Sequence, residues 1–375
     1  MEDKLKQLVS AGDPKNRTKW AQEWQKQGKK VIGVLDNLVP EEVIYAAGML
    51  PWRIQGTRQG DVSRAMFYRY FRANSFLNHV MESLIEGELD FLDGMVCSDY
   101  DEDFVHFRDY WQHLSKKPFT YFLEVPHLDN EKARKRFTTK IREFIGAIGE
   151  FAKMKVDDNK LRDAIAVYDK SYTLLKKLYE LRKKEVPPVT GGEAMAIVNA
   201  AMVMPRDEFN KKLEELMPYL ETRKANVKHT HPRLLLSSDQ LDNPAYVDLV
   251  EEAGCLVVMD DMDNGSRYCW ETTGDGGDPA QALAARYIKN QSPRMFDWRG
   301  QEKQLVKWVK EFNIDGVLEL LDWYDYPREF RRPFLERWLK EEGIPSMSFE
   351  RDYHLANAGQ LKTRIGAFLE IVGSK

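Results

Sequence analysis

The feature that most constrains the fold is a regular alternation of short apolar runs with amphipathic segments. Over residues 31–128 the apolar runs are "VIGVL", "LPWRI", "LDFLDGMVCS" and "PFTYFLEVP". After Arg233 the alternation returns with "RLLLSS", "CLVVMDD", "DGVLELL" and "IPSMSFE". Apolar runs separated by helical segments are typical of parallel strands whose two faces are both covered. The sequence therefore predicts an α/β protein with two doubly wound parallel-sheet lobes of the flavodoxin or Rossmann type.

A long stretch without strand signals separates the two lobes. From Asn130 the chain is rich in Lys, Arg, Glu, Leu and Ala, and apolar side chains such as Ile141, Phe144 and Ile148 repeat at helical spacing. The first thirty residues have helical periodicity too. We therefore divide the 375 residues as follows: an N-terminal helical segment (1–30), a first α/β lobe (31–128), a helical region (129–228) and a second α/β lobe (229–375).

Local start and stop signals predict individual helices. We expect one helix over residues 63–87, where a glycine ends it. Others are expected from Glu102 to Leu114 and from Phe330 to Glu342. No G-x-G-x-x-G phosphate fingerprint follows the first strand of either lobe, so a dinucleotide site of that kind is not predicted.

The net charge and the lengths of the apolar runs argue against nucleic acid and membranes as partners. A formal net charge of −4 and a pI near 6.1 argue against a nucleic-acid binder, which usually carries a basic stripe. No run approaches the ~20 apolar residues that a membrane-spanning helix needs. The segment "MEDKLKQLVSAGDPKNRTKW" lacks the apolar core of a signal peptide. We expect a cytoplasmic protein that binds neither membrane nor nucleic acid.

Acidic and aromatic residues gather where predicted strands end. In open parallel sheets the ligand crevice lies outside the carboxyl ends of the strands. The connections with most acids are "CSDYDED" at 97–103, "DDMDNGSRY" at 260–268, "ELLDWYD" at 319–325 and "ERDYH" at 350–354. Such acids can form a general base with its orienting partner, a hard-metal site, or simple helix caps. Their clustering at several strand ends favours a site.

The three cysteines do not suggest a metal centre by themselves. Cys97, Cys255 and Cys269 are too few and too scattered for a disulfide framework. An iron–sulfur cluster is commonly held by four thiolates. Cys255 precedes its strand and belongs to the opposite edge of the sheet, where it is expected to pack in the core. At most two thiolates, from Cys97 and Cys269, remain for the crevice.

Longer segments in a fixed order carry a family resemblance. They are "VPEEVIYAAGMLPWRI", "GELDFLDGMV", "VPPVTGGEA", "HPRLLLSS", "VEEAGCLVVMDDMDNGSRY", "KEFNIDGVL" and "EEGIPSMSFERDYHLANAGQLKTRIGAFLE". From about residue 30 onward the chain resembles the benzoyl-CoA reductase / 2-hydroxyacyl-CoA dehydratase family. The resemblance implies two related subunits, an acyl-CoA substrate and an ATP-dependent iron–sulfur activator as electron donor. It also implies a [4Fe-4S] cluster held by three cysteines in each subunit.

This chain departs from that family at the cluster ligands. The segment "RYFRANSFLNHVMES", where the first ligand is expected, has no cysteine. The second falls near Asp101, with Cys97 about four residues early, and the third falls in "ELLDWYDYP", which also lacks a cysteine. We therefore expect this chain to have no cluster of its own and the homologous partner to hold it. Two alternatives stay open: a cluster with unusual ligands that include Cys97, and a non-catalytic scaffold or maturation paralogue.

The resemblance also suggests roles for the strand-end residues. A radical formed on a thioester-activated acyl group needs hydrogen-bond donors, a proton source and a site closed to water. The catalytic candidates are Asp101, Asp260, Arg267, Tyr268 and His354. The substrate-binding candidates are Asp99, Glu102, Asp261, Glu319, Trp323 and Arg351. For each, interlobe ion pairing or helix capping is the structural alternative. The segments "ERDYHLANAGQLKTR" and "RYFRANSFLNHVMES" slightly favour the reductases, which are oxidoreductases, over the dehydratases, which are lyases.

Overall fold

The computed structural model describes residues 1–57, 60–69, 73–227, 231–274, 276–290, 298–355 and 358–373. The expected boundary at residues 228 and 229 lies outside this part of the chain, as do three residues of the segment that begins at Arg69. The strands of the first lobe are β1 (Val31–Val34), β2 (Leu50–Arg53), β3 (Gly94–Ser98) and β4 (Phe119–Leu123). Those of the second lobe are β5 (Arg233–Ser237), β6 (Leu256–Asp261), β7 (Gly316–Asp322) and β8 (Ser346–Arg351).

Helices surround both sheets and fill the region between them. In the first part of the chain they are α1 (Glu2–Ala11), α2 (Thr18–Gln25), α3 (Glu41–Ala46), α4 (Ser63–Tyr68), α5 (Ser75–Ile85) and α6 (Glu102–Leu114). The helical region holds α7 (Glu131–Ala152), α8 (Asp158–Leu181), α9 (Gly191–Ala201) and α10 (Arg206–Leu220). The second lobe adds α11 (Pro244–Glu252), α12 (Ser266–Cys269), α13 (Pro279–Tyr287), α14 (Trp298–Glu311), α15 (Tyr326–Glu341) and α16 (Ala358–Gly373).

The two sheets have the same topology. Their strand orders are β2-β1-β3-β4 and β6-β5-β7-β8, and every pairing is parallel. The predicted α/β class with two doubly wound lobes is confirmed. In each sheet the strand order reverses beside the first strand, between β1 and β3 and between β5 and β7. Such a reversal makes a switch point, where the loops after the two strands diverge and leave a crevice.

The strand sequences explain why both sheets are covered. All residues of β1, β3 and β7 are buried, which suits runs that are apolar on both faces. The strands also lie close together at Gly94, where an added Cβ would be 2.6 Å from the carbonyl oxygen of Phe119. A larger residue there would force β3 away from β4, so glycine fixes this pairing.

The helical region joins the lobes. Early in α8, Leu161 and Ile165 pack in the hydrophobic core of the first lobe. Further along the same helix, Tyr172 and Tyr179 pack in a core shared with β6. The expected apolar stripe is present, since Ile141, Phe144 and Ile148 of α7 are buried. Among the described residues, no helix combines the length and apolarity needed to cross a bilayer.

Two helices differ from the expected boundaries because capping residues set their ends. The helix expected over 63–87 is two helices, α4 and α5. Asn74 begins α5 by accepting a hydrogen bond from the N–H of Leu77 at 3.2 Å. Helix α15 begins at Tyr326 rather than Phe330, because the carboxylate of Asp325 caps it by accepting from the N–H of Arg328 at 3.3 Å.

Candidate active site

The carboxyl edges of the two sheets face each other. Asn37, which follows β1, donates to the Asp263 carboxylate beyond β6 at 3.0 Å. The Tyr353 hydroxyl beyond β8 accepts from the N–H of Gly56 at 3.1 Å and donates to Asp242 at 2.9 Å. Because Gly56 follows β2, the bond between Gly56 and Tyr353 crosses between the lobes, as does the bond between Asn37 and Asp263, while the bond to Asp242 stays within the second lobe. Strand ends from both sheets therefore border one crevice.

Arg267 occupies the centre of this crevice. Its Nε and Nη2 donate to the two carboxylate oxygens of Asp261 at 2.7 and 2.8 Å. Its Nη1 contacts both Asp239 and, at 3.3 Å, Asp263. Only 8% of the residue is exposed. A buried arginine with a bidentate carboxylate is held rigidly, since the planar fork matches both oxygens.

A second buried arginine extends these contacts. Arg328 of α15 donates from Nε to Asp239 at 2.9 Å and from Nη1 to Glu319 at 3.2 Å. Glu319 accepts in turn from the Ser348 hydroxyl at 2.9 Å. Asp239 therefore bridges Arg267 and Arg328. We call these groups the crevice network; its members are Asp239, Asp261, Asp263, Arg267, Glu319 and Arg328.

The crevice holds two kinds of carboxyl group. Burial alone would raise the pKa of Asp261, but the charge and hydrogen bonds of Arg267 lower it below its usual range. For Asp239 burial is likewise outweighed, by Arg328 and Arg267, so its pKa is also lowered. Burial dominates elsewhere: it raises the pKa of Asp322 to about 6, and it raises that of Asp263 and Asp325 as well. Carboxyl groups with lowered pKa values and carboxyl groups with raised pKa values thus lie side by side.

Asp101 lies in the segment 99–103, which we call the acidic turn, and belongs to the carboxyl groups whose pKa is raised by burial. It caps α6, accepting from the N–H of Phe104 at 2.9 Å, and is 6% exposed. Burial raises its pKa to about 7, the bond from Phe104 opposes this, and the nearby charges of Asp103 and Asp239 raise it further. The pKa of Asp325, across in the second lobe, is in turn raised by the charge of Asp101. A carboxyl group with such a pKa can exchange a proton near neutral pH.

The other two candidates from the acidic turn lie outside the network. Asp99 accepts from the N–H of Val125 at 2.8 Å, and its second oxygen is 3.6 Å from Nε2 of His127. These contacts tie the end of β3 to the loop that follows β4. Glu102 is exposed in the first turn of α6. The substrate-binding roles expected for both residues stay predictions.

Asp260 and Tyr268 face away from the crevice. Asp260 accepts from the N–H of Ser266 at 2.6 Å and from the Tyr179 hydroxyl at 2.5 Å, and burial raises its pKa. The Tyr268 hydroxyl donates to Glu41 at 2.7 Å. Successive side chains of a strand point to opposite faces of the sheet, so Asp260 meets α8 while Asp261 meets Arg267. Both candidates therefore contact residues that join the lobes to the helical region.

The remaining candidates line two cavities, one within the second lobe and one between the lobes. Trp323, Arg351 and His354 border a pocket of about 210 Å³. His354 also borders a larger cleft of about 900 Å³, together with Arg17 and Tyr353. Arg351 itself is buried, and its Nη2 lies 2.7 Å from Asp322. His354 is thus the one predicted catalytic residue that reaches both of these cavities.

The cysteines do not form a ligand set for an iron–sulfur cluster. Cys97, Cys255 and Cys269 are free and buried, and each lies in a different hydrophobic core. Burial raises the pKa of all three thiols, which disfavours the thiolate that binds iron. Within the described ranges, no group of three or more His, Cys, Asp or Glu residues is arranged to hold a metal ion. The donors that do converge in the crevice are carboxylates and guanidinium groups.

Several crevice residues were not predicted from the sequence. Asp239 lies just beyond β5, so the strand-end argument that selected Asp101 applies to it equally. Asp36, just beyond β1, accepts from the Ser98 N–H and hydroxyl, both at 2.8 Å, and thereby joins the ends of β1 and β3. Arg328 had no such signal, because its helix reaches the crevice only through the fold.

The geometry defines a two-lobed α/β protein whose paired switch points share a buried crevice of acids and arginines. The family model described as "2-hydroxyglutaryl-CoA dehydratase, D-component" matches residues 37–372. The chain belongs to this family, which confirms the resemblance stated above.

Individual relatives extend the comparison over nearly the whole chain. The (R)-2-hydroxyglutaryl-CoA dehydratase subunit beta of Acidaminococcus fermentans is 26% identical over 358 residues, covering 92% of this chain and 93% of its own. The (R)-phenyllactyl-CoA dehydratase beta subunit of Clostridium sporogenes is 25% identical, with 92% of each chain covered. A benzoyl-CoA reductase subunit of Thauera aromatica is 24% identical, with 91% of this chain and 90% of its own covered. The identities do not separate dehydratases from the reductase.

Proposed function

We propose that this chain is one subunit of a heteromeric enzyme that processes an acyl-CoA thioester. In this proposal it shapes the acyl-CoA pocket and carries no [4Fe-4S] cluster of its own. A homologous second subunit holds the cluster, and an ATP-dependent iron–sulfur activator delivers the electrons. The names of the relatives support the heteromeric part, since each is a subunit of a dehydratase or a reductase. Reduction of an aromatic acyl-CoA ring is favoured slightly over dehydration of a 2-hydroxyacyl-CoA.

The observation that carries the proposal is the donor set of the crevice. Soft iron–sulfur centres prefer thiolates, whereas carboxylates suit hard cations and protons. Here the carboxyl groups of Asp101 and Asp325 interact across the interlobe crevice, while the three thiols are dispersed among separate cores. The crevice is therefore suited to holding and moving protons rather than to holding iron.

The crevice residues have distinct tasks in this proposal. A cluster in the partner supplies single electrons when it is present. Asp101, with its pKa near 7, holds the proton that a reduced acyl group takes up. Arg267 keeps Asp261 ionised, and Asp261 in turn holds the guanidinium in place. The positive charge of Arg267 near the reacting group therefore does not have to reorganise during the reaction.

The cleft of about 900 Å³ is the proposed entrance for the acyl-CoA. Its volume lies within the range of small-molecule sites. Exposed Lys15 lines one side and suits the phosphates of coenzyme A, while Gln55 and Thr57 line another. We expect Lys15→Glu to weaken acyl-CoA binding to the complex severalfold in calorimetry, and Lys155→Glu, an exposed charge reversal beyond the cleft lining, to leave it unchanged.

A second candidate function is a non-catalytic scaffold subunit. One observation favours it: Arg267 and Arg328 direct their donors to carboxylates of the same chain. A scaffold would assemble with its partner but would tolerate Asp101→Asn without loss of turnover. If this subunit instead holds the proton, Asp101→Asn should lower turnover, most strongly near neutral pH.

Anaerobic co-purification with whatever proteins are encoded beside this chain tests the main proposal. The chains are separated, and iron and sulfide are measured on each. We expect both elements on the partner and fewer than one iron per copy of this chain. About four irons per copy of this chain, lost in Cys97→Ser, would establish the alternative cluster with unusual ligands.

A further inference from the structure

Helix α15 exposes a stripe of aromatic side chains beside the crevice. Tyr326, Phe330 and Phe334 recur every fourth residue and therefore share one side of the helix. They are 36%, 77% and 60% exposed. Leu335 and Leu339 of the same helix are buried against the second lobe. The stripe thus lies on the outward face of α15, whose opposite face already packs against the second lobe.

A second exposed group lies on α4 of the first lobe. Three consecutive residues there are exposed by 43%, 85% and 43%; they are Met66, Phe67 and Tyr68. We call the whole set the aromatic surface; its members are Met66, Phe67, Tyr68, Trp323, Tyr326, Phe330 and Phe334.

The acidic turn connects the two parts of the aromatic surface. Arg69, which follows α4, lies 3.5 Å from the carboxylate of Asp103. Asp103 also accepts from the N–H of Asn74 at 2.8 Å. The next residue, Ser75, donates its N–H to the carbonyl of Trp323 at 3.2 Å, and Trp323 precedes the stripe on α15. The aromatic surface therefore borders the crevice mouth on both lobes.

Each part of this surface has the size of an ordinary exposed patch, and the two parts together are larger than the largest patch of a typical monomer. With ~200 Å² for each aromatic side chain, the exposed fractions correspond to roughly 400 Å² on the α15 side and about 300 Å² more on α4. The largest apolar patch on a typical monomer is about 300–600 Å². A standard interface buries about 800 Å² on each partner. The aromatic surface is therefore close to the size of one side of a stable interface.

Exposed charges of both signs border the surface. Glu102 lies in the acidic turn, and Arg337 is exposed on α15, three residues beyond Phe334. The exposed area approaches that of one side of a standard interface, and the relatives are named as subunits of dehydratases or of a reductase. We infer that the aromatic surface is where the second family subunit docks, presenting an apolar face to these aromatic side chains. This inference rests on the heteromeric function proposed above and identifies where that assembly occurs.

Coexpression with the second family subunit proposed above, followed by measurement of the dissociation constant, tests the inference. We expect Phe330→Glu and Phe334→Glu each to weaken the complex at least about tenfold, because buried aromatic anchors dominate interface energetics. Phe330→Leu should retain most of the affinity. Because both phenylalanines are exposed, the thermal unfolding of the isolated chain should stay unchanged.

Met154→Glu is the matched control. Met154 is 40% exposed and lies 3.8 Å from the position of a Cβ on Gly48, at the amino edge of the first sheet. The Met154→Glu substitution should leave the complex intact. If the wild-type subunits assemble and the phenylalanine variants bind equally well, the docking surface is wrong and the heteromeric function stands. If the wild-type subunits do not assemble, both fall. A wild-type homodimer that Phe330→Glu makes monomeric would assign the surface to a second copy instead.

Discussion

Two buried charged regions of this protein use similar residues in different proportions. The crevice network lies between the carboxyl edges of the sheets. The other region, which we call the rear network, joins the lobes to the helical region; its members are Glu41, Glu42, Arg53, Tyr172, Arg206, Tyr268, Arg286 and Tyr287. In the rear network arginines and tyrosines surround two carboxylates. In the crevice, carboxyl groups outnumber the arginines.

The difference teaches what each region can do. Glu41 accepts from Arg53 at 3.1 Å, Arg206 at 2.9 Å and Tyr268 at 2.7 Å, so its charge is fully compensated. A buried network in which each charge has partners fixes geometry. In the crevice the carboxyl groups outnumber the arginines, and burial raises the pKa of Asp101 and also that of Asp322, although Arg351 lies 2.7 Å from the Asp322 carboxylate. Burial raises the pKa of Glu42 in the rear network too. With three arginines for two carboxyl groups, however, the rear network is suited to holding the lobes together, whereas the crevice, with its excess of carboxyl groups, is suited to holding protons.

Removal of the central arginine should have the largest effect. Arg267→Met leaves Asp261, Asp239 and Asp263 buried with less compensation. We expect a loss of about 3–5 kcal/mol in the free energy of unfolding, measured by urea titration. The loss should be smaller at pH 5 than at pH 8, because protonation neutralises the uncompensated carboxylates.

Arg206→Met provides the matched variant in the rear network. Glu41 keeps Arg53 and Tyr268 as partners there, so the loss should be smaller than for Arg267→Met. Equal losses in the two variants, with no dependence on pH, would contradict the distinction between the networks.

Asp101→Asn tests the proton-holding property directly. The native pKa near 7 lies above the unfolded value of about 3.9, so between these values the native state binds the extra proton. The free energy of unfolding of the wild type should therefore fall as pH rises from 4 to 7, by on the order of 2–4 kcal/mol from this group. Asparagine keeps the helix cap and has no proton to lose. The variant should consequently gain stability relative to the wild type over this window.

Asp157→Asn is the control at an exposed cap. Asp157 accepts from the N–H groups of Asn159 and Lys160 at 3.1 and 3.0 Å, and the bond from Lys160 lowers its pKa. A lowered pKa stabilises the native state above the unfolded pKa, and that stability is lost as pH falls. The Asp157→Asn variant should therefore show the opposite trend with pH. Parallel curves for wild type and Asp101→Asn would refute the raised pKa.

Tyr268→Phe examines the tyrosine hydroxyl of the rear network. The substitution removes the donor to Glu41 and the oxygen that accepts from Arg206, but leaves both arginines in place. We expect a loss of about 1–2 kcal/mol, with the same value at pH 5 and pH 8 in urea titrations. A strong dependence on pH would mean that Tyr268 is coupled to the titrating acids of the crevice.

The fold was largely predictable because its signals are local. Apolar runs separated by helices gave the two parallel sheets, and the strand-end argument located the connections that meet in the crevice. The opposite fates of Asp260 and Asp261 also follow from the two-residue period of a strand. The partners were not predictable in the same way, because Arg328 reaches Asp239 and Glu319 only after β5, β7 and α15 have packed. The spacing of these residues along the chain does not indicate how close they lie in the folded protein.

The smallest expected effect separates neighbours within the acidic turn. Glu102 is exposed in the first turn of α6, one residue after buried Asp101. A carboxylate there interacts favourably with the positive end of the helix, so Glu102→Gln should cost roughly 0.3–1 kcal/mol at low ionic strength. Salt screens exposed charges but hardly reaches buried ones. The cost should therefore disappear in about 0.5 M NaCl, whereas the stability difference for Asp101→Asn should persist. If both effects vanished in salt, the two carboxylates would share one solvated environment, and the crevice could not keep Asp101 protonated.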